Sequence, residues 1–117
     1  MNIEEMRLFA LTLQNATEDM PFDETTVVFR VENKIFMAIG MEHVDPKITV
    51  KCDPEIAVEL RERYEAVEPA FHWNKKYWND IYLNRDMKPK EVREQIKNSF
   101  TEVVKKIPKK LRQQYEI

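Results

Sequence analysis

Glycine, cysteine and long apolar runs are scarce in this sequence of 117 residues, and each scarcity excludes a class of protein. Because Gly40 is the single glycine, the glycine-rich phosphate loops of P-loop and dinucleotide-binding proteins are absent. Because Cys52 is the single cysteine, an internal disulfide is excluded and no zinc-ligand cluster is available. No apolar run approaches the roughly 20 residues that cross a bilayer, and the start MNIEEMRLF lacks the pattern of a signal peptide. We therefore expect a cytoplasmic protein that does not enter the membrane.

Neither sign of charge dominates the sequence, but the two signs are unevenly distributed. The 19 Lys and Arg against 21 Asp and Glu give a net charge of −2, which argues against indiscriminate nucleic-acid binding. Residues 1–32 hold two arginines and seven acids, so the rest of the chain carries +3. Ordinary solvated faces account for an asymmetry of this size, and a basic patch is expected only on the later part of the chain.

Hydrophobic periodicity predicts one α+β domain that spans residues 1–117. Strands are predicted at TVVFRV and KIFMAIG, which flank the turn ENK, at the alternating PKITVKC, and from roughly Tyr77 to Leu83. Apolar residues at helical spacing predict helices near 3–14, 54–64 and 89–106, followed by a short basic helical tail. Since parallel neighbours need long crossovers, we predict an antiparallel sheet of about five strands packed against helices on one face.

Two of the strand segments make more specific predictions. Asn33 is the residue of the ENK turn that best accepts a left-handed conformation. In PKITVKC, the alternation directs Cys52 to the core as a buried structural thiol. The same alternation gives Lys47, Thr49 and Lys51 a solvated face.

Residue types that serve in catalysis are present, but no signature joins them. Nucleophilic catalysis needs a Ser, Thr or Cys beside a base. The two histidines, His43 and His72, and the single serine, Ser99, are not linked by any such motif. We therefore predict a protein that is not an enzyme and needs no cofactor.

Acidic residues near the start of the chain suggest an alternative role in metal binding. Glu4, Glu5, Glu18 and Asp19 carry the oxygen ligands that hard cations prefer, and they could form an acidic ridge. The same residues also suit a solvated helix face with a favourable first turn.

The stretch FHWNKKYWNDIYL, residues 71–83, concentrates aromatic and basic residues. In a strand that begins near Tyr77, Ile81 and Leu83 face the core, because side chains alternate between the two faces. Trp78 then points to the other face of the sheet. Aromatic rings beside lysines offer base stacking together with phosphate attraction, which nucleic-acid binding requires. The alternative is structural: Trp73 and Trp78 fill gaps in the core.

Four segments of the sequence carry recognisable motifs: HWNKKYWNDIYL, MPFDETTVVFRVENKIFMAIG, VKCDPE and IPKKLR. Together they resemble the motifs of the MmcQ/YjbR-like family of small bacterial proteins, in particular its H-x-N-K-K-x-W box and its L-P-K-K-L-R tail. The resemblance covers essentially the whole chain. Two residues depart from the pattern: Asp23 stands where the family often has glycine after PF, and Asn33 stands at the usual glycine of the hairpin turn.

The resemblance implies a CyaY-like fold, shared with frataxin, in which a curved antiparallel sheet packs against helices. Members are commonly labelled DNA-binding on the strength of a proposed double wing of hairpins. The matching motifs include Asp53 and Pro54. They implicate the following positions in nucleic-acid binding: His72, Asn74, Lys75, Lys76, Trp78, Lys51, Lys109, Lys110 and Arg112.

Three functions are open at this point, and we expect a monomer in each case. The first is a module that binds nucleic acid, specifically DNA. The second is an adaptor for a protein partner or a small ligand. The third is frataxin-like metal binding by the acidic residues of the N-terminal region. Affinity that falls steeply with salt distinguishes the first from the others, because each neutralised phosphate releases counterion.

Overall fold

Ten elements follow one another in the computed structural model, which describes residues 1–41 and 44–115. The helices are α1 (Ile3–Leu11), α2 (Pro54–Arg63), α3 (Pro89–Val104) and α4 (Lys109–Arg112). The strands are β1 (Thr17–Asp19), β2 (Thr26–Val31), β3 (Lys34–Gly40), β4 (Lys47–Lys51), β5 (Val67–Pro69) and β6 (Trp78–Tyr82). His43 lies outside the described residues. None of the helices in these ranges is long and apolar enough to span a membrane.

The strands form one sheet in the order β1-β2-β3-β4-β6-β5, and every neighbouring pair is antiparallel. The predicted α+β class is confirmed, with six strands in the described residues where about five were expected. The sequence pattern does not predict β1, because its residues TED include no apolar side chain. The strand forms because Thr17, Glu18 and Asp19 pair along the edge of β2.

The hairpin between β2 and β3 turns on Glu32 and Asn33, whose φ angles are 49° and 65°. Positive φ at both central residues gives the two-residue turn that matches the twist of the flanking strands. The predicted left-handed conformation of Asn33 is confirmed, and Glu32 shares it. The Arg30 guanidinium donates to the Asn33 carbonyl at 3.3 Å, which holds the turn against β2.

Two helices end earlier than the periodicity predicts. Helix α1 ends at Leu11, because the chain then turns through Asn15 at a φ of 61°. Helix α3 ends at Val104 and is followed by a tight turn in which the Ile107 N–H donates to the Val104 carbonyl. The apolar residues beyond each end still pack on the core, so the apolar pattern runs further than the helix does.

The helices cover one face of the sheet and enclose the main core, with α3 lying on β3 and β4. Phe36 packs edge-on against Phe100 of α3, with ring centroids 5.4 Å apart, and against Phe29 at 6.5 Å. Ser99 is fully buried; its hydroxyl donates to the Phe36 carbonyl and accepts from the Lys51 N–H at 2.7 Å. Helix α3 is therefore attached to the sheet by polar as well as apolar contacts.

The alternation predicted for the last long strand is confirmed. Ile81 and Leu83 have no exposed surface and belong to the main core, which also includes Cys52. Asn79 lies on the same face as Ile81, and its side-chain amide donates to the Ala57 carbonyl of α2 at 3.3 Å. This contact joins β6 to α2.

The opposite face of the sheet is covered by loops instead of helices. Ala38, Thr49 and Asp80 lie side by side there, on β3, β4 and β6. The prediction that Thr49 lies on a solvated face is wrong, because Thr49 and Asp80 are only 7% and 5% exposed. Residues of the β1–β2 loop (20–25) and of the β5–β6 loop (70–77) line a cavity with them. We call this surface the loop-covered face.

Candidate nucleic-acid interface

Trp73 and Trp78 stack against each other where the β5–β6 loop enters β6. Their ring centroids lie 4.7 Å apart and their planes are tilted by 38°, which is within the range of favourable aromatic pairs. Trp78 is the first residue of β6 and pairs with Lys51 of β4. Both indoles are half-buried, so each leaves part of its ring open to a ligand.

A groove of about 410 Å³ runs beside the tryptophan pair. Its walls come from the β2–β3 hairpin, the end of β4, the start of β6 and the end of α3. The antiparallel order brings these parts together, because the last residues of β2 and β4 and the first residues of β3 and β6 lie at the same end of the strands. We call it the basic groove and define it by two tryptophans and four cations: Trp73, Trp78, Arg30, Lys34, Lys51 and Lys106.

Positive charge in the basic groove exceeds the negative charge paired with it. The Arg30 Nε lies 3.2 Å from an Asp19 carboxylate oxygen, so this cation is paired. Lys34, Lys51 and Lys106 make no ion pair within residues 1–41 and 44–115. An anion in the groove would therefore meet three ammonium groups that form no direct ion pair with a described carboxylate, although Asp53 and Glu102 border an adjoining cleft with Lys51 and Lys106.

The end of α3 and helix α4 extend the positive surface beyond the groove. The Glu102 carboxylate lies 3.8 Å from the Lys105 ammonium group. Arg112 donates to the Lys105 carbonyl at 3.0 Å, which holds α4 against the end of α3. Lys109 and Lys110 are exposed, and Lys109 lines a neighbouring surface groove with Lys105 and Arg112. The predicted tail residues thus adjoin the basic groove without lining it.

The β5–β6 loop presents Lys75 and Lys76 to solvent and is shaped by Asn74. The Asn74 side-chain oxygen accepts from the Lys76 N–H, and its carbonyl accepts from the N–H groups of Tyr77 and Trp78, each at 3.0 Å. Asn74, which the resemblance implicates in nucleic-acid binding, therefore bonds backbone groups of its own irregular turn, and its side-chain bond is exposed. Each of the two ammonium groups lies over an aromatic ring of the same loop, at 5.4 and 5.6 Å from the centroid.

Arg61 of α2 anchors this loop to the rest of the molecule. Its Nε donates to the Asn79 side-chain oxygen at 2.6 Å, and its guanidinium also contacts the carbonyls of Lys75 and Trp78. The half-buried Arg61 side chain therefore links α2 both to the β5–β6 loop and to the start of β6.

A second cavity, of about 490 Å³, lies on the loop-covered face and shares Trp73 with the basic groove. Three aromatic side chains and three strand residues characterise it, and we call it the sheet-face pocket: Phe22, His72, Trp73, Lys47, Thr49 and Asp80. His72 therefore lines the sheet-face pocket and not the basic groove. Trp73 is thus common to the linings of the two cavities.

The sheet-face pocket contains a nearly buried ion pair. The Lys47 Nζ lies 3.1 Å from one Asp80 oxygen, and the Thr49 hydroxyl donates to the other at 2.6 Å. The Lys47 and Asp80 side chains are only 18% and 8% exposed. Removing two charges from water costs free energy that their attraction often fails to recover, so stability alone does not explain the pair.

Asp23, one of the two departures from the family pattern, shapes the β1–β2 loop that borders this pocket. One of its carboxylate oxygens accepts from the N–H groups of Thr25 and Thr26, at 2.8 and 2.7 Å. These bonds lower the pKa of the Asp23 carboxyl below its usual value. The negative charge of Asp23 is thus held by local backbone N–H groups.

The single thiol, Cys52, is buried. Burial raises the pKa of the Cys52 thiol to about 11, and the neighbouring Asp53 charge acts in the same direction.

In the acidic ridge, the Glu18 carboxylate accepts two bonds from Arg7, at 2.8 and 2.5 Å, and Arg7 also binds Glu4. Within the described ranges, no group of three or more His, Cys, Asp and Glu side chains could hold a metal ion.

A model of the YjbR family matches residues 11–102, a span that contains all six described strands and both tryptophans. The chain belongs to the YjbR family. The uncharacterized protein YjbR of Escherichia coli K12 is 24% identical over 112 residues, which cover 96% of this chain and 95% of that protein. The uncharacterized protein YbdF of Escherichia coli O157:H7 is 29% identical over 107 residues, which cover 92% of this chain and 88% of the relative.

Two solved structures have the same architecture as this YjbR chain. The crystal structure of Deinococcus radiodurans protein DR2400, a DUF419 domain, has a TM-score of 0.90 and 26% identity, covering 97% of this chain and 86% of the other. The crystal structure of a Pseudomonas syringae protein has a TM-score of 0.74 and 26% identity, covering 86% of this chain and 97% of the other. The YjbR assignment suggested by the motifs is confirmed.

Sequence reasoning finds part of the YjbR basic groove and misses the rest. Lys51 and Trp78 are identified by their motifs, whereas Arg30, Lys34 and Lys106 are not. These three residues carry no shared motif, and only the strand order places them together. The available signal is weak: Lys34 follows the hairpin turn, and Arg30 alternates with buried residues in β2.

Proposed function

We propose that this YjbR protein binds nucleic acid in the basic groove and prefers single strands. The observation that supports the proposal most directly is a half-exposed tryptophan pair beside three lysines without a carboxylate partner in the described residues. Lysines attract the phosphate backbone, and aromatic faces stack on bases of any sequence. The sequence motifs point to the same region through Lys51 and Trp78.

The tryptophan pair is the reason for preferring a single strand. In a duplex each base is stacked on both sides, so an indole ring gains a base partner only where the strand is open. The lysines alone would attract either form, because the phosphate charge is common to both. With a net charge of −2, the protein as a whole does not attract phosphate, so attraction depends on local basic patches such as the groove. We expect this binding to weaken strongly with salt.

The proposed role is binding and not catalysis. The Ser99 hydroxyl is buried and already bonds two backbone groups, and burial keeps the Cys52 thiol protonated at neutral pH. Neither group is therefore available as an activated nucleophile. The acidic ridge gives metal binding less support, since Arg7 occupies Glu18 and Glu4.

Salt-dependent titration tests the proposal with two double variants of equal charge. Lys51→Gln with Lys106→Gln removes two cations from the groove; Lys90→Gln with Lys97→Gln removes two exposed cations from α3 outside it. Anisotropy of a labelled single-stranded oligonucleotide is measured over a salt series. Each lost phosphate contact lowers the slope of log affinity against log salt by roughly 0.7, so the groove variant should lose about 1.4.

The control variant should keep the slope of the original protein, because its lysines face another part of the surface. Equal slopes in both double variants would refute the groove as the phosphate site. Tighter binding of the duplex than of the single strand would refute the preference for single strands. Circular dichroism melting accompanies both, since exposed lysines contribute little to stability. Lys75→Ala with Lys76→Ala tests by the same slope whether the loop lysines belong to the interface.

A further inference from the structure

We propose that the sheet-face pocket binds one guanine base, with the Watson–Crick edge of the base against Lys47 and Asp80. Where the base belongs to a strand held in the basic groove, this inference rests on the proposed function. Where it belongs to a free nucleotide, the inference stands without it. The chemistry is the same in both cases: a planar ring with two adjacent N–H donors beside a carbonyl.

The dimensions and walls of the pocket suit a planar ring. Its volume of about 490 Å³ lies within the usual range for small-molecule sites. Phe22 and Trp73 provide aromatic surface on the two loops. Ala38 and Gly40 have little or no side chain, so they leave space for a ring above the sheet. Pockets that accept an unstacked base combine such aromatic walls with a few polar groups for its edge.

The polar groups of the pocket have unused hydrogen-bonding capacity. Among the described residues, each Asp80 oxygen accepts one bond, from Lys47 or from Thr49, and a carboxylate oxygen can accept a second. The Lys47 ammonium has three N–H donors, and one of them is directed at Asp80. The site therefore offers two acceptors side by side and a cationic donor next to them.

This arrangement complements guanine better than the other bases. Guanine presents two neighbouring N–H donors, which a carboxylate can accept together, and a carbonyl oxygen beside them that can accept from Lys47. Adenine and cytosine each present a single amino donor on that edge, which leaves one Asp80 oxygen without a partner. Inosine differs from guanosine by the missing amino group alone, so it isolates one of the two bonds.

Trp73 gives the pocket a physical connection to the basic groove. The same indole lines both cavities and stacks on Trp78 at 4.7 Å. A strand whose phosphates lie along Lys51 and Lys106 would have a base within reach of the other side of this ring. Base recognition in the pocket would then add sequence preference to an otherwise sequence-tolerant interface.

The first experiment compares free nucleotides, measured by calorimetry on the full chain. Guanosine monophosphate should bind about tenfold more tightly than inosine monophosphate, which is roughly the loss of one hydrogen bond to a charged group. Phe22→Ala should weaken guanosine monophosphate by about tenfold if the ring stacks on the base. Phe71→Ala is the matched control, since Phe71 is equally exposed, at 66% against 63%, but does not line the pocket; it should change binding less than twofold.

The second experiment separates the two sources of the base. Guanine-containing and all-thymine oligonucleotides are titrated against the original protein, Phe22→Ala and the Lys51→Gln, Lys106→Gln variant. A preference for guanine that Phe22→Ala removes supports the pocket within a bound strand. Oligonucleotide binding that depends on the groove lysines but not on Phe22 or on guanine overturns this inference and leaves the proposed function intact.

The remaining outcomes are equally decisive. Binding of guanosine monophosphate without any oligonucleotide binding supports the pocket as a nucleotide site and refutes the proposed function. Asp80→Asn should abolish the preference for guanosine over inosine monophosphate, because an amide cannot accept both donors through two oxygens. Equal affinity for guanosine, inosine and adenosine monophosphates, or no binding of any, overturns the inference whatever the behaviour of the variants.

Discussion

The two faces of the sheet are closed in different ways. On the helical face, Phe36 interlocks with two other aromatic rings, and the buried Ser99 hydroxyl is satisfied by two backbone groups. On the loop-covered face, Phe22 and Phe71 remain mostly exposed, and a Lys47–Asp80 ion pair lies in a cavity. A helix presents a continuous apolar stripe that fills the space above a strand, whereas a short loop supplies isolated side chains and leaves gaps between them.

Because of this difference, the stability of the domain and its capacity to bind a ligand depend on different faces of the sheet. The helical face provides the apolar burial on which folding depends. The loop-covered face retains concave surface, polar groups with spare bonding capacity and aromatic rings, which are the properties of ligand sites. We therefore expect substitutions on the two faces to affect different measurements.

The largest expected effect comes from matched phenylalanine substitutions. Phe36→Ala should lower the free energy of unfolding by ~3–5 kcal/mol, because it leaves a cavity in the main core. Phe22→Ala should change it by no more than about 0.5 kcal/mol, as is usual for exposed sites. Urea unfolding of both variants measures the contrast. If Phe22→Ala lowers the free energy of unfolding by more than about 2 kcal/mol, the loops form a second core, and the two faces do not differ in the way described.

A smaller effect is expected from removing one hydroxyl on each face. Ser99→Ala should cost ~1–3 kcal/mol, because the Phe36 carbonyl and the Lys51 N–H lose their shared partner in the core. Thr49→Val keeps the shape of the side chain and removes one bond to Asp80, which Lys47 still pairs; we expect about 1 kcal/mol. Thermal unfolding of the two variants ranks them. The reverse order would place the tighter polar network on the loop-covered face.

The smallest effect concerns acid pH and two aspartates that bind backbone N–H groups. The Asp86 carboxylate accepts from the N–H groups of Glu65 and Ala66, each at 2.8 Å, and these bonds lower its pKa. Its contribution to stability is therefore complete above the ordinary value of 3.8 and is lost as pH falls through the lower folded value. Asp86→Asn should flatten the acid limb of the stability profile measured by urea unfolding.

Asp23 provides the comparison for that experiment on the loop-covered face. Backbone N–H groups also lower its pKa, but they belong to an exposed loop. Protonation of Asp23 should thus loosen the loop, seen as amide shifts of Thr25 and Thr26, with little change in global stability. If Asp23→Asn flattens the acid limb as much as Asp86→Asn does, the loop is coupled to global unfolding.

The fold is more predictable from this sequence than the site is, for a physical reason. The segments TVVFRV and KIFMAIG coincide with β2 and β3, because their side chains form a local apolar pattern. The basic groove and the Lys47–Asp80 pair depend instead on strand order and on the register of β4 against β6. Such contacts join distant parts of the chain and leave no local pattern. The motifs therefore identify Lys51 and Trp78 but not the cavities that those residues border.

The position of the single thiol has a kinetic consequence. The Cys52 N–H donates to the Tyr77 carbonyl at 2.7 Å, and its side chain borders a cleft with Lys51 and Tyr77, where β4 passes into α2. Alkylating reagents attack the thiolate, and a buried thiol with a pKa of about 11 supplies very little of it at neutral pH. We therefore expect this one sulfur to be alkylated slowly in the folded protein. A nucleic-acid strand bound across Lys51 should slow this alkylation further, because Lys51 borders both the basic groove and the cleft beside Cys52.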